Sequence, residues 1–149
     1  MTTREKSAWI SLLITGLIYV PYFTNAYDML RAETIDPGDM LGLFIGAVVL
    51  QTLLHIVFEI ALAIIARKEP TDERDKAIEN RATGNAYWFL SISTSITLLV
   101  GLFALVLAVT PLEARFHVLA FATQLLLLCL VAAEVVRYVT LIYSYRHGA

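Results

Sequence analysis

The chain has 149 residues, 58% of them apolar and 16% charged, with a mean hydropathy of +0.71. A water-soluble domain averages about 45–50% apolar and about 25% charged residues, so this chain has too few polar side chains to cover a surface in water. Its net charge of −2 offers no basic excess to neutralise phosphates, which argues against nucleic acid as a partner.

Roughly 20 apolar residues in a helix cross about 30 Å of hydrocarbon. Four stretches qualify, and the expected spans are residues 8–24, 40–66, 87–110 and 116–145 within a single domain, 1–149. None alternates with period two at the spacing of a barrel strand. The expected fold is therefore all-α: an integral membrane four-helix bundle.

The first stretch follows Arg4 and Lys6, and Thr24-Asn25-Ala26 has the small residues of a signal-peptide cleavage site. Pro21, Tyr22 and Phe23 are a poor approach to such a site, so a retained span is expected. Asp36-Pro37-Gly38-Asp39 reads as a turn, with Asp39 as N-cap of the second helix. Glu69-Pro70 closes that helix, and Thr71 or Asp72 can cap the next segment. Residues Asp72 to Ala82 are dense in charge without Gly or Pro, and their acids crowd the first turn. They read as a helical extension before the third span, with Asp72 and Lys76 as an i,i+4 pair and Thr83-Gly84-Asn85 as a weak point. The short Thr110-Pro111-Leu112-Glu113 connection makes spans three and four antiparallel neighbours.

Lysine and arginine set the expected orientation. Arg4, Lys6, Arg67, Lys68, Arg74, Lys76, Arg81 and Arg146 fall on one side, Arg31 and Arg115 on the other, and Arg137 inside the fourth span. The positive-inside rule then places both termini and the central loop, residues 67–84, in the cytoplasm, with short outer loops. The expected location is the inner (plasma) membrane, crossed several times. Trp9, Tyr87, Trp88, Tyr143 and Tyr145 suit the inner interface, and Tyr19, Tyr22, Tyr27 and Phe116 the outer one.

Small residues at Gly42 and Gly46, and at Ser93, Thr97 and Gly101, let helices approach closely. Packing within one bundle is the plainer reading, and a homodimer face is the sharper one. Cys129 has no cysteine to pair with and no ligand spacing around it. With no compact metal motif, nucleophile elbow or phosphate loop, neither catalytic residues nor metal nor cofactor are expected.

An ionisable group in the membrane is costly, about 2.5–3.5 kcal/mol at the centre on insertion scales, and should find partners inside the bundle. Gln51, His55 and Glu59 recur every four residues on one face of the second span. Glu134 and Arg137 lie one turn apart on the fourth. Counted from Arg67 and Arg146 at 1.5 Å per residue, Glu59 and Arg137 share a depth of roughly 12–14 Å, and His55 and Glu134 one of roughly 18 Å. Two stacked pairs are expected, Glu59 with Arg137 and His55 with Glu134. They would fix helix register, or else form a proton or ligand site.

The loop Asp72-Glu73-Arg74-Asp75-Lys76-Ala77-Ile78-Glu79-Asn80-Arg81-Ala82 resembles the D-E-R-D-x-x-I-E-x-R-A pattern of a family of small, uncharacterised prokaryotic four-span membrane proteins. Asp72, Glu73, Arg74, Asp75, Ile78, Glu79, Arg81 and Ala82 match it. The resemblance covers the loop alone. Members are often encoded beside small helix-turn-helix regulators, which implies a cytoplasmic regulator as partner, and it implies no catalytic activity. Asp72, Glu73, Arg74, Asp75, Glu79 and Arg81 are the expected docking residues. The expected function is that of a non-enzymatic membrane sensor or regulatory partner; the alternative is a small oligomeric proton-coupled transporter or channel using the intramembrane polar residues.

Overall fold

A computed structural model of the chain describes residues 3–31, 36–65, 72–107 and 112–147. They form four helices: α1 (Thr3–Arg31), α2 (Pro37–Ile65), α3 (Glu73–Leu107) and α4 (Leu112–His147). All four are long and apolar enough to cross a membrane, and their outward surface suits lipid. Leu13, Leu17, Leu53, Ile64, Leu99, Phe103 and Val106 are each more than half exposed. In water, an apolar surface this continuous would drive aggregation.

The caps show why the helices begin where they do. Asp36 caps α2, because its Oδ1 accepts from the Gly38 amide at 2.7 Å, and Pro37 takes the first helical position, where its missing N–H costs nothing. The expected cap, Asp39, sits inside the first turn instead. Asp72 caps α3: its Oδ1 accepts from the Glu73 amide at 2.7 Å, while Asp75 Oδ2 accepts from the Asp72 amide at 3.4 Å. The expected Asp72–Lys76 side-chain pair does not form; the two residues meet through the backbone, Lys76 N to Asp72 O at 3.3 Å. Thr83-Gly84-Asn85 introduces no break, and α3 runs through it. The alternative cap Thr71, the basic pair Arg67 and Lys68, and the Thr110-Pro111 turn lie outside the described residues.

Among the described residues, helix backbones approach in three combinations, α1 with α2, α1 with α4 and α3 with α4, the last being the most extensive. The order across the molecule is therefore α2, α1, α4, α3. Tyr22 meets Gln124, while Glu5 meets Arg146, so α1 and α4 are antiparallel. A core of Ile18, Tyr19, Tyr22, Ala26, Ala47 and Val131 joins α1 to its two neighbours. Tyr19 and Tyr22 thus belong to the core rather than to an aromatic belt, and the reason is chemical: the Tyr22 hydroxyl donates to Gln124 Oε1 at 2.7 Å, so burial strands no polar atom.

The small residues of α3 pack inside the molecule. Thr97 Oγ1 lies 3.4 Å from Cys129 Sγ, and a Cβ at Gly101 would sit 3.6 Å from Ala122 Cβ. Gly42 and Gly46 differ, because nothing among the described residues would lie within 4 Å of a Cβ at either.

Candidate functional site

A helix of 35 or 36 residues, as in α3 and α4, is roughly 52–54 Å long at 1.5 Å per residue, against about 30 Å of hydrocarbon. The surplus of both collects at one end of the molecule, beside the start of α1. Three segments meet there: residues 3–12 of α1, 73–86 of α3 and 137–147 of α4. Their apolar centre is Ala8, Tyr138 and Ile142, with Leu12 and Leu141 against them.

The α3 segment divides cleanly by face. At 100° per residue, Asp75, Ile78, Glu79 and Ala82 share one side, and Glu73, Ala77 and Asn80 lie opposite, with Arg74 and Arg81 flanking them. Burial follows that division except at Glu79, which is exposed at the edge of the covered side. Ile78 is 3% exposed and Ala82 0%, whereas Glu73, Arg74, Lys76, Ala77, Asn80 and Arg81 are all exposed. Alanine at position 82 lets α3 come close to its neighbour, and Ile78 fills the space a turn earlier.

Charged and phenolic groups ring this centre. Arg4 Nε lies 3.6 Å from Asp75 Oδ2, and the Tyr145 hydroxyl donates to Asp75 Oδ1 at 3.1 Å, so one carboxylate of α3 holds both α1 and α4. Arg146 Nε donates to Glu5 Oε1 at 3.0 Å. The Arg146 guanidinium also lies over the Trp9 ring, 5.5 Å from its centroid. Glu5 is only 6% exposed, a carboxylate that would be costly to bury without such a partner. Arg137 Nη2 lies 3.5 Å from Glu79 Oε1. Each exposed pair is worth only about 0–1 kcal/mol, but together they fix the register of three helices around a small apolar centre.

Of the two expected intramembrane pairs, His55 with Glu134 does not form, and Glu59 with Arg137 falls outside the described residues. Arg137 meets Glu79 of the charged segment, and the Glu59 side chain lies outside the described residues. Glu134 Oε2 accepts from the Tyr138 hydroxyl, one turn along α4, at 3.2 Å. His55 is not joined to Glu134, because α2 packs on α1 and its backbone does not approach α4. His55 Nε2 is buried with no hydrogen-bond partner among the described residues, as is Arg137 Nε. Gln51 is half-buried on α2.

Of the expected docking residues, Asp72 is used as a cap, Asp75 and the still exposed Glu79 are paired with other helices, and Glu73, Arg74 and Arg81 remain on the open face. Sequence reading missed Glu5, Tyr138, Tyr145 and Arg146 as parts of this collar. For Tyr138, Tyr145 and Arg146 the signal was the excess length of the fourth apolar stretch, and for Glu5 there was none.

One further concavity, an apolar groove of about 380 Å³, lies toward the other end between α3 and α4, with Thr97, Val100, Ala104, His117, Phe121 and Leu125 in its walls. It includes none of the expected polar residues. Among the described residues, no cluster of three or more His, Cys, Asp or Glu side chains is placed to hold a metal. In comparisons with known proteins, no family model, no curated protein and no solved structure matches this chain.

Proposed function

We propose that this multi-pass membrane protein is a non-enzymatic sensor or regulatory partner, and that the collar is its output surface. The observation that carries this reading is the two-sided α3 extension. Arg4, Tyr145 and Arg137 grip its inner side at Asp75 and Glu79, and Glu73, Arg74, Asn80 and Arg81 stand free on the other. A held helix presents side chains at fixed spacing, which lowers the ordering cost of docking. Any shift of α1 against α4 reaches the extension through Asp75, so the same contacts offer a route from membrane to surface.

The lysine and arginine distribution supports placing the collar in the cytoplasm and the chain in the inner membrane. The loop resemblance supports a soluble helix-turn-helix regulator as the partner. The test is site-specific photo-crosslinking in cells from Ala77, at the centre of the open face. A protein adduct is expected from Ala77 and not from buried Ala82, and Glu73→Ala with Arg74→Ala should abolish it. An adduct indifferent to both substitutions, or none, sinks the reading.

A second reading, a small oligomeric proton-coupled transporter or channel, has one observation in its favour. His55 Nε2 and Arg137 Nε are buried without partners among the described residues, and such atoms ask for water or a ligand. Proton flux in liposomes, lost on His55→Ala, would support it over the docking reading.

A further inference from the structure

The charged segment looks balanced in sequence, with four acids (Asp72, Glu73, Asp75, Glu79) against three bases (Arg74, Lys76, Arg81). Folding changes that balance. Asp75 turns inward onto Arg4 of α1, and Glu79, itself exposed, pairs with Arg137 of α4. Asp72 spends one oxygen on the α3 cap. The exposed bases Arg74, Lys76 and Arg81 make no ion pair among the described residues. Two of the four acids are thus neutralised by bases of other helices, while the three bases of the segment keep their charge.

One stripe of the exposed side leads into the bilayer. Arg81, Asn85 and Trp88 follow the i, i+4, i+7 spacing of a single helix face, and all three are exposed, Trp88 at 66%. Tryptophan exposed at the end of an apolar span settles at the headgroup level. Arg81 lies seven residues, or about 10 Å, further toward water. The headgroup layer is about 5–8 Å deep, and arginine's flexible stem lets its head follow a polar surface, so the guanidinium can meet a phosphate there. Arg74, another 10 Å or so out, is beyond it.

We infer that Arg81, with Asn85 and Trp88 on the same stripe, binds the phosphate headgroup of an anionic phospholipid. The guanidinium supplies paired donors for phosphate oxygens, the Asn85 amide adds a donor, and the Trp88 ring packs on the lipid below the headgroup. The guanidinium's positive charge favours anionic over zwitterionic lipid. This site goes beyond the docking reading and stands without it. It also leaves Glu73, Arg74 and Asn80 free for a soluble partner.

The chain has two tryptophans, so Trp9→Phe makes Trp88 the sole emitter. The protein is reconstituted into phosphatidylcholine vesicles with a small fraction of either brominated phosphatidylglycerol or brominated phosphatidylcholine. The brominated anionic lipid should quench Trp88 about fivefold more effectively per mole, the enrichment one basic residue gives near an anionic surface. Arg81→Gln should remove the difference, Arg74→Gln should keep most of it, and excess inorganic phosphate should leave it unchanged. Equal quenching by the two lipids overturns the proposal, as does selectivity that survives Arg81→Gln. Relief by inorganic phosphate would show a site for a free anion and overturn it too. Should Trp9→Phe fail to fold, native mass spectrometry of the unsubstituted protein and of Arg81→Gln makes the same comparison, with fewer retained phosphatidylglycerol molecules expected in the variant and equal retention overturning the site.

Discussion

Arg137 Nη2 stands 3.5 Å from Glu79 Oε1, which brings a residue of the fourth apolar stretch level with a residue of the charged segment. The two are 58 positions apart in the chain. That ion pair sets where α4 leaves the apolar layer, since Glu79 precedes Tyr87 and Trp88 by two turns. The last three turns of α4 therefore belong to the collar. Glu134 lies one turn earlier on α4 and is bonded to Tyr138.

This arrangement is testable by a double-mutant cycle. Glu79→Gln and Arg137→Gln should couple by about 0.2–1 kcal/mol, the range for a partly exposed pair, in reversible unfolding in mixed micelles. His55→Ala and Glu134→Ala should instead add within about 0.3–0.5 kcal/mol, as sites without shared partners do. Strong coupling between His55 and Glu134 would restore the pairing expected from sequence.

The two faces of the extension make opposite predictions for one substitution. Ala82 is fully buried and Ala77 exposed. Ala82→Leu should destabilise by about 1–3 kcal/mol through overpacking, while Ala77→Leu should stay within about 0.5 kcal/mol. Thermal unfolding in detergent measures both, and equal effects would mean that the segment is not docked on α4.

Small residues on α3 and α2 should respond differently as well. Gly101→Leu forces side-chain atoms toward Ala122, whose Cβ a bare Cβ at Gly101 already meets at 3.6 Å, and should lower the unfolding temperature. Gly46→Leu meets nothing within 4 Å and should be tolerated. If Gly46→Leu instead dissociates a dimer on sizing chromatography, the α2 glycines pack against a second copy of the chain, the homodimer face read from their spacing.

Tyr22→Phe removes the 2.7 Å bond to Gln124 and leaves the ring in place. Hydrogen bonds between membrane helices average about 0.6 kcal/mol and reach about 1.7 kcal/mol. A loss within that range is expected. In a Gln124→Ala background, Tyr22→Phe should carry no further cost. A Tyr22→Phe penalty that persists without Gln124 would deny the bond.

Much of the fold is legible in the chain itself. Four apolar stretches of bilayer length give four helices, Asp72 caps α3, and a short connection makes α3 and α4 neighbours, because each of these depends on residues adjacent in the chain. The candidate site was only half legible. The motif from Asp72 to Arg81 announced itself by charge, yet the sequence could not divide it into paired and free residues. Helical periodicity places Asp75 and Glu79 on one face but does not say which face is covered. Arg4, Tyr145 and Arg137 decide that, and each comes from another helix.

Composition and periodicity by themselves determined a helical chain suited to lipid, because the length and apolarity of a span are local properties summed along the backbone. Only tertiary structure decided that α1 lies between α2 and α4, that Tyr22 is a core residue, and that Arg137 meets Glu79. Those outcomes depend on how far each helix slides past its neighbour. Sliding is governed by packing at Ala82, Gly101 and Ala122 and by pairing across long sequence separations, and neither leaves a periodic trace in one helix alone.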